Sequence, residues 1–238
     1  MTGNKLKILA CVSMLLDHIG YILFPKIFIF RYIGRLALPL FSYLLAEGCL
    51  HTKHKLKYFL SVLVLGIICQ SAFFIESLIA GASLNLYFNI LFTFSFSLIL
   101  CYAFLNLKEH IIKKEKNASI QSGLIFILAF LLVLFVTELL PTNVNVYLYF
   151  DYGIAGALLP LFALIFKDKR LKLLCFTFGI TLFNLLTYKV LSYTWLSYLG
   201  IIPLFFYNGK RGKKGLKYFF YAFYPLHLAI IYLIQLLI

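Results

Sequence analysis

Apolar positions along this chain run in long unbroken stretches, and polar ones gather in short clusters between them. The stretches cover residues 8–24, 32–50, 58–78, 86–107, 122–140, 144–166, 171–188, 191–207 and 218–238. A bilayer core about 30 Å thick needs roughly 20 apolar residues to be crossed as a helix, and most of the stretches come near that length. The period-two alternation of a membrane barrel is absent, and lipid offers backbone groups no partners outside a helix. The pattern therefore predicts an all-α polytopic membrane helix bundle of about nine transmembrane helices, one domain over residues 1–238. No fixed-period repeat or low-complexity linker interrupts it, and the tract 77–86 carries no recognisable motif.

Composition excludes a soluble chain. Hydrophobic residues make up 63% of the 238 and charged ones 13%, about half the charged share of globular domains. The net charge of +14 would suggest a nucleic-acid partner if it formed one surface patch. Its distribution says otherwise. Lys5 and Lys7 precede the first stretch, and Lys53, Lys55 and Lys57 follow the second. Lys108, Lys113, Lys114 and Lys116 follow the fourth, and Lys167, Lys169, Arg170 and Lys172 flank the sixth-to-seventh connection. Lys210, Arg211, Lys213, Lys214 and Lys217 precede the ninth. With nine spans all of these lie on one side, leaving only Lys26, Arg31, Lys189 and the intraspan Arg35 elsewhere. Cations collect on the cytoplasmic side, so the N-terminus is expected inside and the C-terminus outside. No nucleic acid is called for, and attraction to anionic membrane lipids follows from the same charges.

Lys5 and Lys7 ahead of an apolar run have the form of a secretory signal. Asp17 and His18 interrupt that run, and no small-residue cleavage site follows, so an uncleaved first helix is expected. Cys11, Cys49, Cys69, Cys101 and Cys175 all fall within predicted spans, with no C-x-x-C among them. They read as small buried hydrophobes, and neither a disulfide framework nor a metal site is expected.

Ionisable residues inside the spans carry the chemistry, because a charge at mid-bilayer costs about 2.5–3.5 kcal/mol even on lenient scales. They are Asp17 and His18 in the first span, Arg35 and Glu47 in the second, and His227 in the ninth. Glu76, Glu138 and Asp151 sit near outer ends, and Arg31 marks the outer start of the second span, one turn before Arg35. A rise of about 1.5 Å per residue puts Asp17, His18, Arg35, Asp151 and His227 at depths where one polar pocket could hold them. Glu47 falls near the inner surface, and Tyr224 lies one turn before His227. The plain alternative is structural: Arg35 paired with Asp17 or Asp151 locks two helices, and His227 bonds across helices. His51, His54 and His110 read as solvated loop groups. An Asp-His dipeptide in mid-span is harder to explain by packing, and imidazole is the usual proton-transfer group near neutral pH.

Leu6-Lys7-Ile8 followed by Met14-Leu15-Leu16-Asp17-His18-Ile19-Gly20 resembles the start of the TraX family, named for the protein that acetylates conjugative pilin. The resemblance continues through Arg31-Tyr32-Ile33-Gly34-Arg35-Leu36-Ala37-Leu38-Pro39-Leu40-Phe41, Glu47-Gly48 and His51-Thr52. It resumes at Asn89 to Thr93, at Asp151-Tyr152-Gly153 with Gly156, and at Phe223-Tyr224-Pro225-Leu226-His227-Leu228. The family is more distantly similar to multi-helix membrane acyltransferases that O-acetylate surface polysaccharides. The resemblance implies acyl transfer in a bacterial cytoplasmic membrane, with acetyl-CoA or another acyl-CoA as donor substrate. The acceptor would be an amine or hydroxyl of a peptide, glycan or lipid, with no metal.

Under that implication His18 is the base, or a transiently acylated nucleophile, and Arg35 is the clamp for an oxyanion or an acceptor carboxylate. Neighbours on a helix diverge by about 100°, so Asp17 is badly placed to orient His18. Asp151 is the favoured orienter, with Asp17 pairing Arg35. Arg31, Glu47, Tyr224 and His227 complete the expected site as substrate- or cofactor-binding groups, and Lys53, Lys55 and Lys57 are candidates for the coenzyme phosphates. Two other functions fit the same pattern: a small-molecule transporter, which also places ionisable residues at mid-membrane, and a non-enzymatic assembly factor for conjugation or secretion. Oligomeric state is not legible.

Overall fold

The computed structural model describes residues 1–79, 86–143, 148–188, 193–212 and 216–237. The starts of the sixth and eighth expected spans at 144 and 191, and the cations Lys189, Lys213 and Lys214, lie outside the described residues. Helix α1 (Gly3–Ile22) begins at Thr2, whose hydroxyl accepts from the Lys5 N–H. Next come α2 (Phe28–Gly34), α3 (Ala37–His51) and α4 (Lys55–Ile79). Strand β1 (Leu86–Phe88) leads into α5 (Ile90–Ile112) and α6 (Lys116–Leu134). A π-helical turn (Phe135–Leu139) joins α6 to α7 (Leu140–Asn143). Strand β2 (Leu148–Phe150) precedes α8 (Gly153–Leu158), which tightens into a 3-10 turn (Leu159–Ala163) at Pro160. Helix α9 (Lys169–Tyr188), a 3-10 segment (Tyr193–Gly200), α10 (Ile201–Phe205) and α11 (Lys217–Leu237) complete the described chain.

This is a multi-pass, helical membrane protein. Five helical segments among the described residues are long and apolar enough to cross a bilayer: Phe28–His51, Ile90–Ile112, Lys116–Leu139, Lys169–Thr187 and Tyr218–Leu237. Their outer faces are apolar in a way water would not tolerate. On α6, Leu124, Ile125, Ile127, Leu128, Leu131 and Leu132 are all at least half exposed, which suits acyl chains.

Three expected spans differ in form. The second tightens at Arg35 and Leu36, between α2 and α3, where the two N–H groups donate to the Tyr32 and Ile33 carbonyls three residues back. Pro39 sits in the first turn of α3, where a missing N–H costs nothing. The described part of the sixth holds a three-residue strand and then an apolar helix over Gly153–Ala163. At about 1.5 Å per residue that helix spans roughly half the hydrocarbon core. The described part of the eighth is similarly short, at Trp195–Phe205. The apolar run is continuous in both cases, so hydropathy alone hides the break. A parallel strand pair also appears where only helices were expected, with Leu86, Tyr87 and Phe88 in register with Leu148, Tyr149 and Phe150. Its rings stack, Phe88 on Phe150 at 4.7 Å and Tyr87 on Tyr149 at 5.7 Å.

The chain divides into two compact units, Met1–Leu44 with Phe176–Ile238, and Leu45–Cys175. In the first, Leu6, Ala10, Leu40, Phe176, Ile180, Leu204 and Leu228 form the solvent-excluded core. The first turn of α1 is tied to the segment before α11: Gly3 and Asn4 N–H groups donate to the Lys210 and Arg211 carbonyls at 2.8 and 2.9 Å. Lys7 then stands 5.5 Å over the Phe220 ring, and further along both helices His18 meets His227. Residue numbers rise together along the seam, so α1 and α11 run parallel.

In the second unit, Cys69, Leu98, Leu100, Cys101, Val133, Ala157 and Leu159 are fully buried. Asn89, itself buried, caps α5 by accepting from the Leu91 N–H at 3.0 Å and donates to the Gly66 carbonyl of α4 at 3.0 Å. All five cysteines are free, and all except the half-buried Cys175 are buried.

Candidate functional site

In the first unit, α1 and α2 approach closely because two positions lack a side chain. A Cβ on Gly34 would overlap the Asp17 carboxylate, and one on Gly20 would come 2.6 Å from the Phe30 Cβ. With Gly34 opposite, Asp17 Oδ2 accepts from Arg31 Nη1 at 2.8 Å. Arg31 is steadied in turn by the Tyr21 ring, 5.1 Å beneath its guanidinium. The second oxygen of Asp17, Oδ1, is buried with no hydrogen-bond partner among the described residues. Arg35 Nη2 faces it at 4.0 Å, from a side chain only 10% exposed. One carboxylate therefore serves two guanidiniums, and the nearer is Arg31. Sequence reasoning gave that place to Arg35, because depth along a helix does not say which of two arginines one turn apart lies nearer a carboxylate on a neighbouring helix.

Beside Asp17 on α1, His18 Nδ1 lies 2.8 Å from His227 Nε2 on α11. The other nitrogen of His227, Nδ1, is 2.8 Å from the Phe223 carbonyl, one turn back along α11. A carbonyl only accepts, so His227 Nδ1 carries the hydrogen and the neutral ring leaves Nε2 as an acceptor. His18 must then donate from Nδ1, and its own Nε2 keeps its lone pair. The hydrogen-bond network thus assigns both tautomers. Packing holds the arrangement: Phe223 stacks on His227 with centroids 5.0 Å apart, and Tyr224 meets it edge-on at 5.5 Å. His227 is 5% exposed. A neutral imidazole oriented at one nitrogen and basic at the other can accept a proton. The orienting group is His227, in the place that sequence reasoning assigned to Asp151. Two histidines 209 positions apart leave no local signal of their pairing.

The remaining expected residues belong to the second unit. Glu47 makes an ion pair with Lys172 at 2.8 Å, both side chains about nine-tenths buried, and His51 Nε2 lies 3.5 Å from its other oxygen. Sequence reasoning passed over Lys172 as one of a run of loop cations. Asp151 extends the strand pair: its N–H donates to the Phe88 carbonyl at 3.0 Å, and its carbonyl accepts from the Thr93 hydroxyl at 2.6 Å. The chain then turns through left-handed Tyr152 and Gly153, with φ of 61° and 46°. A side chain on Gly153 would strike Glu138, whose carboxylate accepts from the Ile154 N–H at 2.8 Å and caps α8. Asn89, Thr93, Asp151 and Gly153 thus shape a turn. Glu76 is on α4, and its side chain lies outside what the structure describes.

Residues 2–235 match the family described as TraX protein. A curated relative, the probable fimbrial assembly protein FimC, serogroup H1, of Dichelobacter nodosus, is 32% identical over 107 residues. That stretch is 40% of this chain and 43% of the relative. An uncharacterized protein of Rickettsia prowazekii is 48% identical over 40 residues, 17% of this chain and 16% of the relative. The chain thus spans less than half the length of either relative. No solved structure matches.

Proposed function

The chain belongs to the TraX family, and from that premise we propose that it is a membrane-embedded acyltransferase. It moves an acetyl or similar acyl group from a cytoplasmic coenzyme A thioester to an amine or hydroxyl of an exported, pilin-like acceptor. A relative named for fimbrial assembly supports that kind of acceptor. The observation that carries the proposal is the His18–His227 hydrogen bond, which leaves a lone pair on His18 Nε2, one residue after the Asp17 carboxylate that faces Arg31 and Arg35. Nε2 takes the proton of the neutral acceptor amine or hydroxyl as its nitrogen or oxygen attacks the thioester carbonyl. Arg35, the guanidinium farther from Asp17, steadies the oxyanion. Collapse breaks the carbon–sulfur bond, and the departing thiolate recovers the proton from His18.

The parallel course of α1 and α11 supports an odd number of crossings between them, and the cation distribution supports an N-terminus inside and a C-terminus outside the cytoplasmic membrane. A C-terminal reporter that fluoresces only in the cytoplasm should stay dark, and one inserted between Lys210 and Lys217 should glow. The reverse pattern would overturn this topology.

The decisive test is His18→Gln, which keeps a hydrogen-bonding side chain that takes no proton at neutral pH. Acylated product, read by mass spectrometry in cells carrying the gene and its neighbours, should fall by about 10²–10⁴-fold, with the protein inserted and melting as wild type does. Wild-type product from His18→Gln would remove the proposal.

One observation favours a second reading. Each unit holds a short apolar helix, Gly153–Ala163 in one and Trp195–Phe205 in the other, and paired interrupted helices are a mark of secondary transporters. Solute flux that depends on the gene, with no acylated product depending on it, would establish that reading instead.

A further inference from the structure

The seam between α1 and α11 has two ends, and the dyad occupies only one. Along α1, Lys7, Cys11, Met14 and His18 recur at intervals of four, three and four residues, which is one helix face. Along α11, Phe220, Tyr224 and His227 do the same. Cys11, Met14 and Tyr224 are buried, and the contacts at either end are Lys7 over Phe220 and His18 with His227. At the Lys7 end the backbone of Arg211 is fixed against the first turn of α1 through its carbonyl on the Asn4 N–H. Its guanidinium is close enough to act electrostatically on the Lys7 ammonium. Neither cation has an ion-pair carboxylate among the described residues. Like charges held together by a hydrogen-bonded backbone repel one another, and an anion between them relieves that repulsion.

The geometry points to Lys7 and Arg211 as the site for the phosphates of the acyl donor, a nucleotide thioester that reaches from there toward His18. This rests on the acyltransferase reading. Eleven residues separate Lys7 from His18 on one unbroken helix, a rise of about 16 Å, comparable to the extended pantetheine arm between the diphosphate and the sulfur of coenzyme A. The Phe220 ring beneath Lys7 adds a flat apolar surface beside the charges. Lys53, Lys55 and Lys57, the candidates from sequence, belong to the other unit, whereas Lys7 and Arg211 share a unit with the dyad.

A phosphate could equally arrive on a lipid headgroup, so the test separates the two sources. Full-length protein in nanodiscs of phosphatidylcholine is titrated with coenzyme A by calorimetry. Wild type and His18→Gln should bind alike, while Lys7→Gln with Arg211→Gln should weaken binding by about tenfold or more. Lys5→Gln, which removes the same charge from an exposed neighbouring position, should leave it unchanged. If the double variant fails to fold, Arg211→Gln alone, at an exposed residue, should still weaken binding by several-fold. Coenzyme A binding that ignores these substitutions overturns the inference and leaves the acyltransferase reading standing. In nanodiscs that also contain phosphatidylglycerol, enrichment of that lipid by wild type and its loss in the double variant, with no coenzyme A bound, would overturn the inference and give the site to a lipid headgroup. The reading itself fails separately, through product formation by His18→Gln.

Discussion

Two polar clusters lie among the helices of this protein, one in each compact unit, and their charge balance differs. Around Glu47 one carboxylate meets one ammonium at 2.8 Å, with both nine-tenths buried. Around Asp17 one carboxylate faces two guanidiniums at 2.8 and 4.0 Å, next to two histidines bonded to each other. Both oxygens of the Glu47 carboxylate already face a cationic or imidazole nitrogen, Lys172 Nζ and His51 Nε2. A carboxylate oxygen with no hydrogen-bond partner among the described residues and an imidazole lone pair are groups that a substrate can complete. The same residue types therefore form a closed set of contacts in one unit and leave acceptors open in the other.

That contrast can be broken most sharply at Glu47. Glu47→Gln removes the carboxylate partner of Lys172 and should cost about 3–5 kcal/mol, seen as a large drop in melting temperature in detergent. Glu47→Leu combined with Lys172→Met should regain most of it. A Glu47→Gln protein of wild-type stability that makes no product would place Glu47 in the chemistry and dissolve the distinction.

Arg35→Met should behave the opposite way, because Arg31 remains on Asp17. Product should fall by about 10²–10³-fold, as for loss of one oxyanion donor, with melting close to wild type; a collapse in stability instead would make Arg35 a structural counter-ion. Gly34→Ala pushes a methyl group into the Asp17 carboxylate and should destabilise by about 1–3 kcal/mol, the protein melting measurably earlier. Unchanged melting would show that α1 and α2 are not held at this close approach.

The smallest effect is expected at His227. Glutamine there can still accept the His18 Nδ1–H through its amide oxygen, whereas phenylalanine cannot. Product from His227→Gln should stay within about tenfold of wild type and exceed that from His227→Phe. Equal loss in both would mean that His227 itself carries a proton rather than orienting the base.

Much of the first unit's site was legible in advance, since Asp17, His18, Arg31, Arg35 and His227 stand out wherever charge is expensive. Their partnerships were not. Depth along a helix is a one-dimensional estimate, and it put Asp151 level with Arg35 without any information on which helices are neighbours. The tightened turn at Arg35 and Leu36 was hidden because both sides of it are apolar, and Tyr152 reads like any aromatic residue in a strand or helix. Gly20 and Gly34 could be seen, but not what they admit, because close approach is a property of two segments together.

What the sequence by itself determined is the solvent: long apolar runs and scarce charges require a helical membrane protein, because lipid leaves few other ways to satisfy a backbone. It also named the residues whose burial needs a reason. Only the tertiary structure decided which of them meet. A hydrogen bond between His18 and His227 requires a separation of 2.8 Å across two helices from opposite ends of the chain. That distance is fixed by the packing of every side chain between them and by no local pattern in either helix.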